Sequence, residues 1–235
     1  MWCIPPKQDA EFVFNMEDVL SVYARPHNPK IPVICMDEKP YQLLGDRALP
    51  IKMSKDNHIE KYDSEYDRMG TCSIFMFTEP LGGWREAHAL PRRTAVDWAN
   101  QVAWLVEEAY RDAEKIVLVM DNLNTHVPAS LYKAFLPQRA RKIVEKLEIH
   151  YTPKHGSWLD IAEIELSALT RQCLLGVRIP NIDALNTEIA AWHKDRNSRQ
   201  KGVSWHFTTD DARIKLAHLY PVPILEEPGK DAKES

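Results

Sequence analysis

Five consecutive apolar residues, Ile116-Val117-Leu118-Val119-Met120, end abruptly at Asp121. A run of strand length with no polar position leaves no face for water, so it predicts a central strand covered on both sides. A second run, Val33-Ile34-Cys35-Met36, predicts another buried strand that ends at Asp37. The residues 71–78 and 84–90, separated by Glu79-Pro80-Leu81-Gly82-Gly83, predict a hairpin, and 148–152 a short fifth strand.

Helical patterns fill most of the remainder. Asp9 is placed to cap a helix over 9–24 with Phe12, Met16, Val19, Leu20 and Tyr23 on one face. Thr94 and Asp97 have capping-box spacing before a helix to Tyr110, whose apolar face is Ala95, Trp98, Ala99, Val102, Val106 and Ala109. Further helical stretches are expected over 128–147 (interrupted at Pro137), from Ser157 with Ser157 as its cap, over 181–196 and over 209–219. The polar, aperiodic stretch 46–69 reads as a long loop or irregular hairpin, and the last ten residues as a disordered tail. Three strands in succession followed by alternating helices and strands imply an α/β fold, a mixed five-stranded sheet flanked by helices.

Several function classes lose ground on composition. No apolar run approaches the roughly 20 residues that span a bilayer, and no secretory signal is visible, so a cytoplasmic protein without a membrane partner is expected. The four cysteines have no C-x-x-C spacing, which supports neither a disulfide framework nor a zinc site. No glycine-rich loop follows a strand, which disfavours nucleotide-binding folds. The net charge of −4 weighs against a nucleic-acid partner taken alone.

The acids argue the other way. Asp37 and Asp121 each follow a buried strand, where functional groups of α/β sheets gather. If the two strands pair in parallel, the carboxylates emerge on neighbouring strands ~4.8 Å apart. Such proximity is unfavourable unless a cation bridges them, and an all-oxygen set suits magnesium or manganese. The alternative is that each aspartate only ends a strand and caps a turn. A third acidic element begins at Ser157 and carries Asp160, Glu163 and Glu165 among apolar residues. Solvation near a helix N-terminus accounts for Asp160. Spacing does not choose between the glutamates: Glu163 has Leu159 and Leu166 one turn away, Glu165 has Ile161 and Leu169.

The strings WCIPP, MDEKPYQLLGD, GTCSIFMF, IVLVMDNLNTH, IHYTPKHGSWLDIAEIELSAL and TTDDARIKL run through nearly the whole chain. In them the sequence resembles the catalytic region of insertion-sequence transposases of the IS-six-thirty group, bacterial relatives of the mariner transposases. The resemblance implies an RNase H-like fold and a DDE triad, which falls on Asp37, Asp121 and Glu163, separated by 84 and 42 residues. It implies two divalent ions (Mg²⁺ or Mn²⁺) held by that triad, and cleavage and strand transfer of DNA. The DNA partners would be transposon ends and a TA target, handled by a homodimer. Related sequences commonly have Asn where Asp160 stands. Asn122, His126, Lys154 and His155 are candidates for DNA contact or for support of the triad; for each histidine a hydrogen-bonded structural role is the competing reading. Arg139, Arg141, Lys142 and Lys146 form either a DNA-lining run or a solvated face.

On this reading the chain divides into a helical linker segment (1–30), an RNase H-like catalytic domain (31–225) and a tail (226–235). The family's helix-turn-helix region before WCIPP is expected to be absent. Two other roles stay open: a non-catalytic fragment that regulates full-length transposase, and an RNase H-like nuclease of other function.

Overall fold

The computed structural model describes residues 9–47, 64–199, 202–203 and 205–222. Ile116–Met120 forms strand β4, buried at every position. It lies between β1 (Val33–Asp46) and β5 (Leu147–Tyr151) and runs parallel to both. Beyond β1 the sheet continues antiparallel through β2 (Tyr66–Glu79) and β3 (Trp84–Leu90), in the order β3-β2-β1-β4-β5. This is the mixed five-stranded sheet the sequence predicts.

Alternation along β4 divides the core in two. Val117 and Val119 face a layer of α1 (Ala10–Tyr23), α5 (Ile161–Leu169), α6 (Ile182–Ser198) and α7 (Thr209–Lys215). Ile116, Leu118 and Met120 face α2 (Ala95–Trp104), α3 (Ala129–Ala134) and α4 (Pro137–Glu145). Burying each large aliphatic side chain contributes roughly 1.5–3 kcal/mol, so a charge at any position of β4 would unseat the layer which that position faces. Phe12, Met16, Val19 and Leu20 of α1 share the first core, and Asp9 caps that helix by accepting from Phe12 N–H at 3.0 Å.

Four boundaries differ from expectation, each for a local reason. First, β1 does not end at Asp37. It continues to Asp46 because β2 pairs with it across that whole length, from Cys35↔Thr78 to Asp46↔Tyr66. The extension is polar because β4 pairs with β1 only as far as Met36. Pro40 is tolerated in it because a strand edge can spare an N–H. Second, β2 starts at Tyr66, so the end of the expected 46–69 loop is strand; 48–63 lie outside the described residues, as does the tail. Third, α2 runs into a π-helical segment, Leu105–Ala109, which shifts the apolar stripe: Leu105 and Val106 are buried while Ala109 is exposed. Fourth, the helix expected from Ser157 is a single 3₁₀ turn, Ser157–Leu159, and α5 starts after it with Asp160 as cap. The Thr94–Asp97 capping box is present as predicted. Among the described residues no helix is long and apolar enough to cross a membrane.

Candidate active site

Side chains of β1 alternate between layers, which sets the site. Cys35 belongs to the core on the α5 side, Ile34 and Met36 to that on the α2 side. Asp37 therefore follows Cys35 toward α5, and Glu38 follows Met36 toward α2. The last parallel pair of β1 and β4 is Met36↔Met120, so Asp37 and Asp121 both stand one residue beyond it. Asp121 opens the connection to α3, and Asp37 is held within β1 opposite Met76.

The 3₁₀ turn and α5 bring in the third group. Asp160 accepts the Ala162 N–H at 2.9 Å through Oδ1 and is 3% exposed, so it is a buried cap and not the solvated carboxylate the sequence suggested. Its Oδ2 is buried with no hydrogen-bond partner. Glu163 and Glu165, two residues apart, point about 200° apart around the helix. Glu165 is buried and turned away, with Arg196 Nη2 at 3.0 Å and Arg85 Nε at 3.4 Å. Glu163 stands exposed on the first turn of α5 and on the side of the aspartates. The structure thus separates the two glutamates where spacing could not.

The electrostatics join the four acids. Burial lifts the Asp37 pKa to about 7, with repulsion from Asp121, Glu163 and Glu38 adding to it against the Glu38 N–H that bonds Asp37 Oδ1. Asp160 is pushed well above the usual carboxylate range by burial and by Asp37, Asp121 and Glu163, against the Ala162 N–H. A cleft of about 520 Å³ opens over this group, lined by Asp37, Asp121 and Asp160.

His126 is fully buried, with ring Nδ1 2.5 Å from Asp121 Oδ1 and Nε2 2.9 Å from Glu38 Oε1. Burial alone would lower its pKa, but the two bonded carboxylates outweigh that and raise it to about 9. Such burial removes His126 from any DNA-facing surface. Asn122, Lys154 and His155 are exposed and line the cleft. His155 adopts a left-handed backbone (φ 64°), and the next residue must be glycine, since a Cβ at Gly156 would lie 2.9 Å from the Pro153 carbonyl oxygen. Arg139, Arg141 and Lys146 are paired elsewhere, with Glu107, Glu145 and the Arg111 carbonyl, and do not line the cleft.

Glu38 escaped the sequence reading as a functional residue. The available signal was alternation: a glutamate that follows Ile34 and Met36 inward needs a buried partner. Among the described residues no three His, Cys, Asp or Glu side chains are gathered closely enough to enclose a cation as they stand. The donor set nonetheless fits a hard divalent ion. It is all carboxylate, mutually repelling, and includes the unpartnered buried oxygen of Asp160.

The comparisons agree with this architecture. A family described as DDE superfamily endonuclease matches residues 32–186, a span that contains Asp37, Asp121, Asp160 and Glu163. No curated protein sequence matches the chain. Among solved structures the chain is similar to the Mos1 transposase paired-end complex with left transposon end (12% identity, TM-score 0.60, 94% of this chain and 66% of that one). It is similar to the Mos1 strand transfer complex (13%, 0.55, 91% and 62%). It also resembles the crystal structure of the catalytic domain of Mos1 mariner transposase (11%, 0.55, 94% and 100%). The chain therefore spans about three-fifths of the chain in the strand transfer complex and all of the isolated catalytic domain. At these identities the likeness speaks to the fold, which is RNase H-like.

Proposed function

The chain belongs to the DDE superfamily endonuclease family, and from that premise we propose that it is the catalytic core of a transposase that cuts DNA and transfers the cut strand to a target. The observation that carries this reading is the convergence of Asp37, Asp121 and Asp160, from three separate elements, on one cleft, with the charge of Glu163 acting on Asp37 and Asp160 in the same sense as theirs. Repelling carboxylates just beyond the parallel pairing of two strands lower the stability of the free protein, and an arrangement of that kind suits cation binding.

In this reading Asp37, Asp121 and Glu163 hold two divalent ions, Mg²⁺ or Mn²⁺. When bound, these would lower the pKa of an attacking water or DNA 3′-hydroxyl and stabilise the leaving oxygen of an in-line displacement at phosphorus. The chain's own residues do the positioning. His126 fixes one Asp121 oxygen, and the alternation of β1 aims Asp37 at α5. The capped start of α5 presents Glu163. Lys154 and Asn122, at the cleft wall, supply a cation and an amide to DNA phosphates, and His155 offers a further donor. Water as attacking group gives cleavage, and a 3′-hydroxyl gives joining; the new P–O bond forms as the P–O bond to the leaving oxygen breaks.

The finer assignments rest on the sequence resemblance and on what the solved relatives are described as. They are an insertion sequence of the IS-six-thirty group, of bacterial origin, with a TA target, acted on by a homodimer, and 31–225 as the catalytic domain. Mos1 is described in a strand transfer complex and in paired-end complexes with Mn and with Mg. Nicking of supercoiled plasmid in Mn²⁺ tests the core of the reading. Wild type should nick and Asp121→Asn should not; equal nicking by both would overturn it.

A further inference from the structure

Asp121 starts a connection of no regular structure, yet a group that takes part in phosphate chemistry has to be held within about 0.5 Å of its working position. The described contacts show what holds it. Its Oδ1 is hydrogen-bonded to Nδ1 of His126, and Nε2 of the same ring meets Glu38 Oε1, from a strand 88 residues earlier in sequence. Each ring nitrogen thus has a carboxylate oxygen at hydrogen-bond distance, so the ring is pinned at both ends. One flat side is stacked on Trp98, with ring centroids 5.9 Å apart and 22° between planes. The backbone at this point is stapled too: Tyr151 Oη donates to the His126 carbonyl at 2.9 Å, and Ser130 Oγ to the Thr125 carbonyl at 2.8 Å.

Glu38 has no packing reason to be acidic. Its side chain is 2% exposed, it follows Ile34 and Met36 into an apolar layer, and its Oε2 is buried with no hydrogen-bond partner. A methionine or leucine would satisfy the layer at less cost. What the carboxylate adds is a fixed orientation for the imidazole.

We propose that Glu38 and His126 are positioning residues that act through Asp121, holding one of its oxygens so that the other is presented to the cleft. This rests on the proposed role of Asp121 as a ligand of a divalent ion. Outer partners of metal ligands typically change metal affinity or activity by about 10–100-fold when removed.

The test is a thermal-shift titration with Mn²⁺ on wild type, His126→Ala, Glu38→Ala and Glu38→Gln, with nicking kinetics alongside. Both alanine variants should raise the Mn²⁺ midpoint by about tenfold or more and lower kcat with little change in KM for DNA. Glu38→Gln, whose amide oxygen still accepts from Nε2–H, should stay within about threefold of wild type. If His126→Ala does not fold, the two Glu38 variants decide the matter, and equal midpoints for them overturn the proposal. A Mn²⁺ shift in wild type with unchanged midpoints in every folded variant overturns this inference alone. No Mn²⁺ shift in wild type overturns the reading of the site, and this inference with it.

Discussion

Helix α5 carries two glutamates two residues apart that belong to opposite kinds of site. Glu165 is buried against Arg85, whose side chain is 2% exposed, and against Arg196; Asn197 ties in the same region by bonding the Arg85 backbone at 2.9 and 2.7 Å. There the carboxylate is compensated within the fold, by two guanidinium groups. Glu163 faces Asp37, Asp121 and Asp160; of these acids His126 bonds Asp121, and its other ring nitrogen already meets a further carboxylate, Glu38. The difference teaches how to read buried charge. A compensated cluster holds elements together, whereas a surplus of one sign at a cleft is a cost the fold alone does not explain.

The largest effect should come from the surplus side. Asp37→Asn and Asp121→Asn should each reduce plasmid nicking to background, while metal-free thermal melts of Asp37→Asn should be no lower than wild type, because a repelled charge has been removed. An Asp37→Asn protein that nicks normally would break the comparison at its functional end.

Next in size is the compensated side. Glu165→Gln takes from buried Arg85 the carboxylate 3.4 Å from its Nε; burial already lowers the Arg85 pKa, and the Glu165 carboxylate opposes that. Breaking a buried pair from one side costs about 3–5 kcal/mol, so urea unfolding should show a loss of that order. Nicking per folded molecule should persist. A loss below about 1 kcal/mol would mean the pair is no more than a surface bridge in its effect.

Smaller again is the stabilisation by a cation. A ligand bound only to the folded state at 100 times its Kd adds about 2.7 kcal/mol. Mn²⁺ should therefore raise the melting temperature of wild type and Glu165→Gln alike, and hardly that of Asp37→Asn. An equal rise in Asp37→Asn would place the ion elsewhere.

Much of this was legible in the sequence, for reasons that also mark where legibility ends. The apolar runs at 33–36 and 116–120 specify buried parallel strands because an unbroken apolar run has no wet alternative, and the caps at Asp9 and Thr94 are local chemistry. The polar half of β1 was not legible, because its strand character comes from β2, some thirty residues away, and not from its own pattern. The choice between Glu163 and Glu165 depends on Arg85 from β3 and Arg196 from α6, which no spacing on α5 encodes. His126 was visible as a candidate, but its acceptor Glu38 lies across 88 residues.

Asp160 gives the finest test, because it has features of both sites. It makes a structural hydrogen bond, capping α5 through Oδ1, and it carries an uncompensated buried oxygen among like charges. Two substitutions separate these. Asp160→Asn retains an oxygen for the Ala162 N–H and removes the ionisable group; Asp160→Ala removes both. The difference in stability between the two variants therefore isolates the cap, expected at about 1 kcal/mol in favour of asparagine. For a domain of this size that is roughly 2–4 °C in melting temperature. Against wild type without metal, Asp160→Asn should be equal or slightly more stable, since the group it removes is held well above its usual pKa by burial and by Asp37. If alanine melts with asparagine, the carboxyl contributes nothing as a cap. If asparagine melts below wild type, the Asp160 charge is compensated as that of Glu165 is, and the line drawn between the two sites would have to move past it.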